Sequence, residues 1–161
     1  MKAMMDQVFD TAIVGAGPTG ATLALGLARL GLEVALIDAR DPAAQAKPDG
    51  RNFAIVTGSW RLLKSLGVTE TLAESSQALN GLEAIDGGTH FFGQPAILFE
   101  SVDLDSPDPD EPLGQMVMAE PLQAALDAAI ATTDQITVFA PARFETVTCE
   151  AQRAMIRLES C

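Results

Sequence analysis

The rhythm of apolar and polar positions is regular at the start of the chain and irregular afterwards. Residues 9–14 predict a buried strand that runs straight into a glycine-rich loop, since Val8, just before it, and Phe9, Ala12, Ile13 and Val14 within it are apolar. From Pro18 to Leu30, Leu23, Leu27 and Leu30 recur at helical spacing. Pro18 suits a first turn, where its missing N–H is not needed, and Gly31 follows as a stop. Residues 33–37 (EVALI) predict a second buried strand with Asp38 at its carboxyl end. The order predicts a βαβ unit over about residues 8–38, with its two strands parallel in one sheet and the helix crossing between them.

The pattern then changes. Residues 39–50 contain Pro42, Pro48 and Gly50 and read as a loop. A helix is expected over 59–66, with Leu62, Leu63 and Leu66 inward and Gly67 as its stop, then a short helix with Thr71 and Glu74 spaced like a capping box. Strands are expected at 82–86, 96–99 and 115–118, separated by an acidic, proline-broken loop at 103–112 that reads as a solvated excursion. Leu122, Leu126 and Ile130 mark one face of a helix with Pro121 in its first turn. A strand at 136–139 and a hairpin of 143–149 with 154–159 complete the pattern, which contains no internal repeat. A dehydrogenase domain would continue with further βαβ units; this chain ends rich in strands.

Composition narrows the classes. With 161 residues, 48% hydrophobic and 20% charged, the chain has the make-up of one globular domain. Its net charge of −12 argues against nucleic acid and anionic membrane as direct partners. Bound phosphate must therefore be held locally, by backbone N–H groups and a few basic residues. Cys149 and Cys161 are the only cysteines and His90 the only histidine, too few for a disulfide framework or a zinc site, so no metal is expected. The apolar stretches fall short of a transmembrane span, and residues 1–7 lack the apolar core of a signal peptide, so a cytoplasmic location is expected.

The loop Gly15-Ala16-Gly17-Pro18-Thr19-Gly20 fits G-x-G-x-x-G in the required order of strand, loop, helix, strand and acid. Gly15 permits the tight turn, Gly17 lets a pyrophosphate approach the backbone, and Gly20 lets the helix pack closely. The N–H groups of the helix start, with Pro18 and Thr19 in its first turn, face an anion. Asp38 lies 18 residues beyond Gly20, where a carboxylate accepts hydrogen bonds from ribose hydroxyls. The alternative is a glycine-rich turn without a ligand. Arg51, in Asp49-Gly50-Arg51-Asn52-Phe53-Ala54, is either a phosphate or flavin contact or a surface partner of Asp49.

The runs DTAIVGAGPTGATLALGLARLGLEVALIDAR, DGRNFAI and GSWRLLKSLGV, with LQAALDAAI followed by ITVFAPARFETV, resemble the FAD-dependent aromatic hydroxylases, within them most the ubiquinone-biosynthesis hydroxylases, from about residue 8 to 159. The resemblance implies an α/β, Rossmann-like FAD/NAD(P)-binding fold with an inserted β-rich segment, incomplete at the C-terminus. Residues 1–161 would be the amino-terminal part of the FAD-binding domain, with about 80–118 belonging to a substrate-side sheet. It implies that Gly15, Gly17 and Gly20 form the FAD pyrophosphate loop. Asp38 would hold the adenosine ribose with Arg40 at the adenine end, Arg51 would contact the cofactor, Gln115 would lie near the flavin, and backbone near Ala142 would run past the adenine. NAD(P)H would be the electron donor, and a small aromatic molecule, a polyprenylated phenol, the substrate. The full enzyme would have room for peripheral membrane association, a homo-oligomer or a biosynthetic complex.

Two departures stand out. Glu120 replaces an arginine of the family near the cofactor phosphates, which should weaken binding. Family members are more than twice this length, and their later Gly-Asp segment has no counterpart here, so the chain alone is expected to be catalytically silent. The rival readings are an NAD-dependent oxidoreductase and a truncated, non-catalytic nucleotide-binding or interaction module. His90 and Trp60 read as packing residues and Cys149 as a small buried residue; no catalytic side chain is singled out, consistent with a cofactor that carries the chemistry.

Overall fold

The computed structural model describes residues 7–41, 50–85, 96–101, 104, 106 and 108–159. The chain divides into two compact units, residues 1–48 with 123–161, and residues 49–122.

The first unit is built on three parallel strands, β1 (Thr11–Val14), β2 (Val34–Ile37) and β8 (Ile136–Phe139), in the order β1-β2-β8. Thr11 pairs with Val34 and Val14 with Ile37, and on the other side Val34 pairs with Ile136 and Ile37 with Phe139. Every residue of β2 is buried, as expected of a central strand covered on both faces. Helix α1 (Pro18–Arg29) crosses between β1 and β2 and packs on the sheet. The expected βαβ unit is therefore present, with two corrections. Strand β1 starts only at Thr11 and buries Ile13 alone, with Val8 and Val14 exposed, so the expected buried strand at 9–14 is an edge strand. The buried side of α1 is Ala21, Ala24, Leu25 and Ala28, whereas Leu23 and Leu30 are exposed. Small alanines let the helix approach the strands closely, and the leucine spacing marked a different face of a helix that is apolar nearly all round.

Gly20 shows how close that approach is. A Cβ there would collide with the Gly15 carbonyl oxygen and lie 3.3 Å from Ile13 Cγ2. Gly15 itself has φ +102°, in the region that favours glycine. A hairpin of β9 (Phe144–Cys149) and β10 (Ala154–Leu158) completes this unit as expected, but every residue of β9 is exposed. Cys149 is thus exposed and not buried.

The second unit contains an antiparallel sheet, β3 (Asn52–Val56), β7 (Gly114–Met118) and β4 (Ser76–Leu79), in the order β3-β7-β4. Strands β3 and β4 fall where the sequence pattern predicts no element. Both gain their hydrogen bonds from β7, which is distant in sequence. Helix α2 (Thr57–Ser65) buries Leu63, while Leu62 is exposed and Leu66 half-buried, so one of three expected inward leucines fully faces the core. The expected short helix is a 3₁₀ helix, Thr69–Ser75, capped at Val68 by no side chain; the Thr71–Glu74 capping box does not form, and Thr71 Oγ1 instead donates to the Val68 carbonyl at 3.5 Å. Strands β5 (Gly81–Ile85) and β6 (Ala96–Glu100) form an antiparallel hairpin near the expected positions. His90 lies outside the described residues.

Helix α3 (Ala119–Ala131) buries Leu122, Leu126 and Ile130, as its pattern predicts. Glu120 is exposed in its first turn.

The acidic loop before β7 is not a free excursion in its described part. Arg61 of α2 donates from Nε to Glu111 Oε1 at 2.8 Å and from Nη2 to Glu111 Oε2, and Ser106 Oγ also donates to Glu111 Oε2. These hydrogen bonds, Arg61's first, hold the Glu111 carboxyl down at about 2 against an ordinary 4.5. Because the folded value is the lower one, the stabilisation is fully present above about pH 4.5 and is lost as the pH falls through about 2. An NMR titration of the Glu111 carboxyl is expected to give a midpoint near 2, and Arg61→Gln should move that midpoint up toward 4.5.

Candidate functional site

The carboxyl ends of β1 and β2 bring the glycine loop, Asp38, Arg40 and Ala142 together in the first unit. Gly15 N–H donates to the Ile37 carbonyl at 2.7 Å, which ties the loop to β2. Gly17 is the N-cap of α1, Pro18 follows in the first turn, and no side chain caps the helix. Ala21 N–H is the first to find an intrahelical acceptor, the Gly17 carbonyl at 2.9 Å. Helical geometry gives the N–H groups of Thr19 and Gly20 no acceptor within the helix, so the positive end of α1 offers its donors to an anion.

The glycines of this loop have different causes. Gly15 and Gly20 are explained by the protein itself, through a positive φ and a backbone approach. Gly17 is not: its φ is −67°, open to any residue, and a Cβ there would meet nothing within 4 Å. The open space beside it is room for a ligand against the backbone, which is what a pyrophosphate requires.

Asp38 is fixed by both carboxylate oxygens. Oδ2 accepts the Ala16 N–H at 2.6 Å and Oδ1 accepts the Arg40 N–H at 2.6 Å. Its backbone is also held: Asp38 N–H donates to the Phe139 carbonyl at 3.0 Å and Ala142 N–H donates to the Asp38 carbonyl at 2.8 Å. A carboxylate has about four acceptor positions, so two protein N–H groups leave room for ribose hydroxyls.

Sequence reasoning missed two members of this cluster. Gln123 of α3 donates from Nε2 to the Ala16 carbonyl at 2.9 Å and to Asp127 Oδ1 at 2.8 Å. Asp127 in turn receives the Arg40 guanidinium, with Nη2 at 3.4 Å from Oδ1 and 3.5 Å from Oδ2. A closed circuit results, running Ala16–Asp38–Arg40–Asp127–Gln123 and back to Ala16. The sequence signal was the i, i+4 spacing of Gln123 and Asp127 on one polar face of α3.

Arg51 and Gln115 belong to the second unit. The Arg51 guanidinium lies 5.9 Å from the Phe53 ring centroid, and its carbonyl accepts Ala119 N–H at 2.9 Å. Asp49, its proposed surface partner, lies outside the described residues. Gln115 sits in β7 opposite Ile55 and Ala78 and lines a cavity of about 210 Å³ with Thr57, Trp60 and Lys64. Trp60 is half-buried at that cavity and not enclosed in a core. Among the described residues no cluster of His, Cys, Asp and Glu could hold a metal ion, and no helix is long and apolar enough to cross a membrane.

A parallel βαβ core, a glycine loop at a helix N-terminus and an acid at the end of the second strand define a dinucleotide-binding α/β protein. Residues 10–137 match the family model of the FAD dependent oxidoreductases (DAO), and the chain belongs to that family. It is 35% identical over 140 residues to the ubiquinone hydroxylase UbiL of Rhodospirillum rubrum, covering 86% of this chain and 30% of that protein. It is 35% identical over 142 residues to the 3-demethoxyubiquinol 3-hydroxylase of Escherichia coli K12, covering 86% of this chain and 34% of that protein. The chain thus spans about a third of the length of these relatives. In fold it resembles the p-nitrophenol 4-monooxygenase PnpA of Pseudomonas putida, with a TM-score of 0.69 at 11% identity over 96% of this chain and 37% of that one.

Proposed function

We propose that the chain is the FAD-binding, amino-terminal part of a flavin-dependent monooxygenase that hydroxylates a phenolic ring, with a polyprenylated ubiquinone precursor as its substrate class. The room beside Gly17 carries the cofactor part of this reading, since nothing in the protein accounts for a glycine there. The relatives named for ubiquinone hydroxylation supply the substrate class. Family membership favours FAD over the NAD-dependent alternative.

When bound, FAD supplies the redox chemistry with O₂, and NAD(P)H supplies the electrons. The chain's own residues hold and orient it. The backbone N–H groups at Gly17, Thr19 and Gly20 hold the pyrophosphate, with Gly15 and Pro18 shaping the turn. Asp38 accepts the ribose hydroxyls, Arg40 and the backbone at Ala142 lie at the adenine end, and Arg51 and Gln115 serve the flavin end. Residues 80–118 belong to the substrate side of the complete enzyme. That enzyme acts in the cytoplasm, and its lipid-like substrate suits peripheral association with a membrane.

The test is FAD binding by the chain and by Gly17→Ala. A Cβ at Gly17 enters open space at an ordinary φ, so the variant should keep its stability within about 1 kcal/mol. Its FAD affinity should fall at least ten-fold, because the methyl group occupies the pyrophosphate's approach. Equal FAD affinity for the two proteins in an equilibrium titration would sink the assignment.

A further inference from the structure

The circuit through Asp127 has a consequence for which nucleotides the site admits. We propose that Asp127 makes the site selective for nucleotides with a free 2′-hydroxyl, by engaging the Arg40 guanidinium and adding a second carboxylate beside Asp38. The inference rests on the reading of the glycine loop as a nucleotide site.

A 2′-phosphate carries close to two negative charges and needs a cation beside the ribose. An arginine near the acid that ends the second strand is the residue that meets this need in dinucleotide-binding folds. Arg40 stands in that place, two residues beyond Asp38. Its guanidinium, however, lies 3.4 and 3.5 Å from the two Asp127 oxygens. Asp38, Arg40 and Asp127 together carry a net charge of −1, which repels a phosphate and tolerates a hydroxyl. The Arg40 and Asp127 side chains are 45% and 48% exposed, so their pairing contributes little to stability. An effect on ligand choice gives Asp127 a role that stability does not. It would keep a 2′-phosphorylated electron donor out of the FAD site.

Gln123 permits a clean test. In Asp127→Asn the side-chain oxygen still accepts the Gln123 amide, so the arm of the circuit that reaches Ala16 is retained while the charge is removed. Calorimetric titration of the full chain with ADP and with 2′,5′-ADP gives an affinity ratio for each protein. The wild type is expected to prefer ADP. Asp127→Asn should narrow that preference about ten-fold, the scale of a freed charged hydrogen bond. Adding Arg40→Ala to Asp127→Asn should restore much of the preference, because the freed guanidinium is then gone. An unchanged ratio in Asp127→Asn, or a narrowing that survives Arg40→Ala, would overturn the inference while leaving the nucleotide site intact. A wild-type chain that binds no ADP would overturn the nucleotide reading and this inference with it.

Discussion

Gly20→Ala is expected to unfold much of the first unit and to abolish FAD binding. The added methyl group has no room. It would overlap the Gly15 carbonyl oxygen, lie 3.1 Å from the Gly15 carbonyl carbon and stand 3.3 Å from Ile13 Cγ2. Two of these three neighbours are backbone, and that backbone is pinned, because Gly15 N–H is bonded to the Ile37 carbonyl of the central strand at 2.7 Å. Relief requires α1 to lift from the sheet, which would expose Ala21, Ala24, Leu25 and Ala28. Overpacking of this kind costs about 3 kcal/mol, a large fraction of a domain's total stability. Thermal denaturation followed by circular dichroism should show a lower midpoint or no cooperative transition. A variant as stable as the parent would mean that α1 can shift without loss. The comparison with Gly17→Ala is informative, since one glycine serves the fold and the ligand together and the other serves the ligand.

The βαβ unit was legible because its signals are local. A buried run, a glycine string, a helix-length segment and a second buried run follow one another within thirty-odd residues, and the parallel pairing follows from that order. The face of α1 was not legible, because ATLALGLA is apolar at almost every position and only contact with the sheet selects the alanine side. Strands β3 and β4 were missed for the opposite reason: their identity is conferred from a distance. Asn52 pairs with Met118 and Ser76 with Val117; β4 carries no apolar run of its own, and the apolar residues 53–56 of β3 run straight into helix α2 without a turn signal between them. Gly114 marks the closeness of that pairing, since a Cβ there would collide with the Ile55 carbonyl oxygen.

The candidate site divides in the same way. Gly15, Gly17, Gly20 and Asp38 could be read from their spacing, which is fixed by the short path from one strand to the next. Gln123 and Asp127 could not. The bond from Gln123 to Ala16 spans 107 positions, and Arg40 to Asp127 spans 87. A glutamine and an aspartate on a helix read as solvated surface in the sequence until the fold half-buries Gln123 and sets both beside the loop.

Asp38→Ala is expected to weaken binding of FAD, or of ADP as its half-ligand, by about ten- to a hundred-fold, the effect of losing a charged hydrogen-bond acceptor. The structure adds a second effect that the sequence did not suggest. The Asp38 carboxylate holds Ala16 N–H and Arg40 N–H, each at 2.6 Å, so its removal also loosens the loop that would carry the pyrophosphate. Asp38 is only half-buried, and water can replace part of what the two N–H groups lose. The stability cost should therefore stay near 1 kcal/mol, within the range of a net intramolecular hydrogen bond. Asp38→Asn separates the two roles. Its single carbonyl oxygen can still accept one of the two N–H groups, so the loop is partly kept, while the charge that favours ribose hydroxyl donors is gone. The expected order of affinity is wild type, then Asp38→Asn, then Asp38→Ala, read by equilibrium titration with ADP. Amide exchange at Ala16 should quicken in the alanine variant well before global unfolding. Wild-type affinity in both variants would remove Asp38 from the ribose site, and slow Ala16 exchange in Asp38→Ala would show that the loop is held without Asp38, by Gln123 and the bond from Gly15 to Ile37.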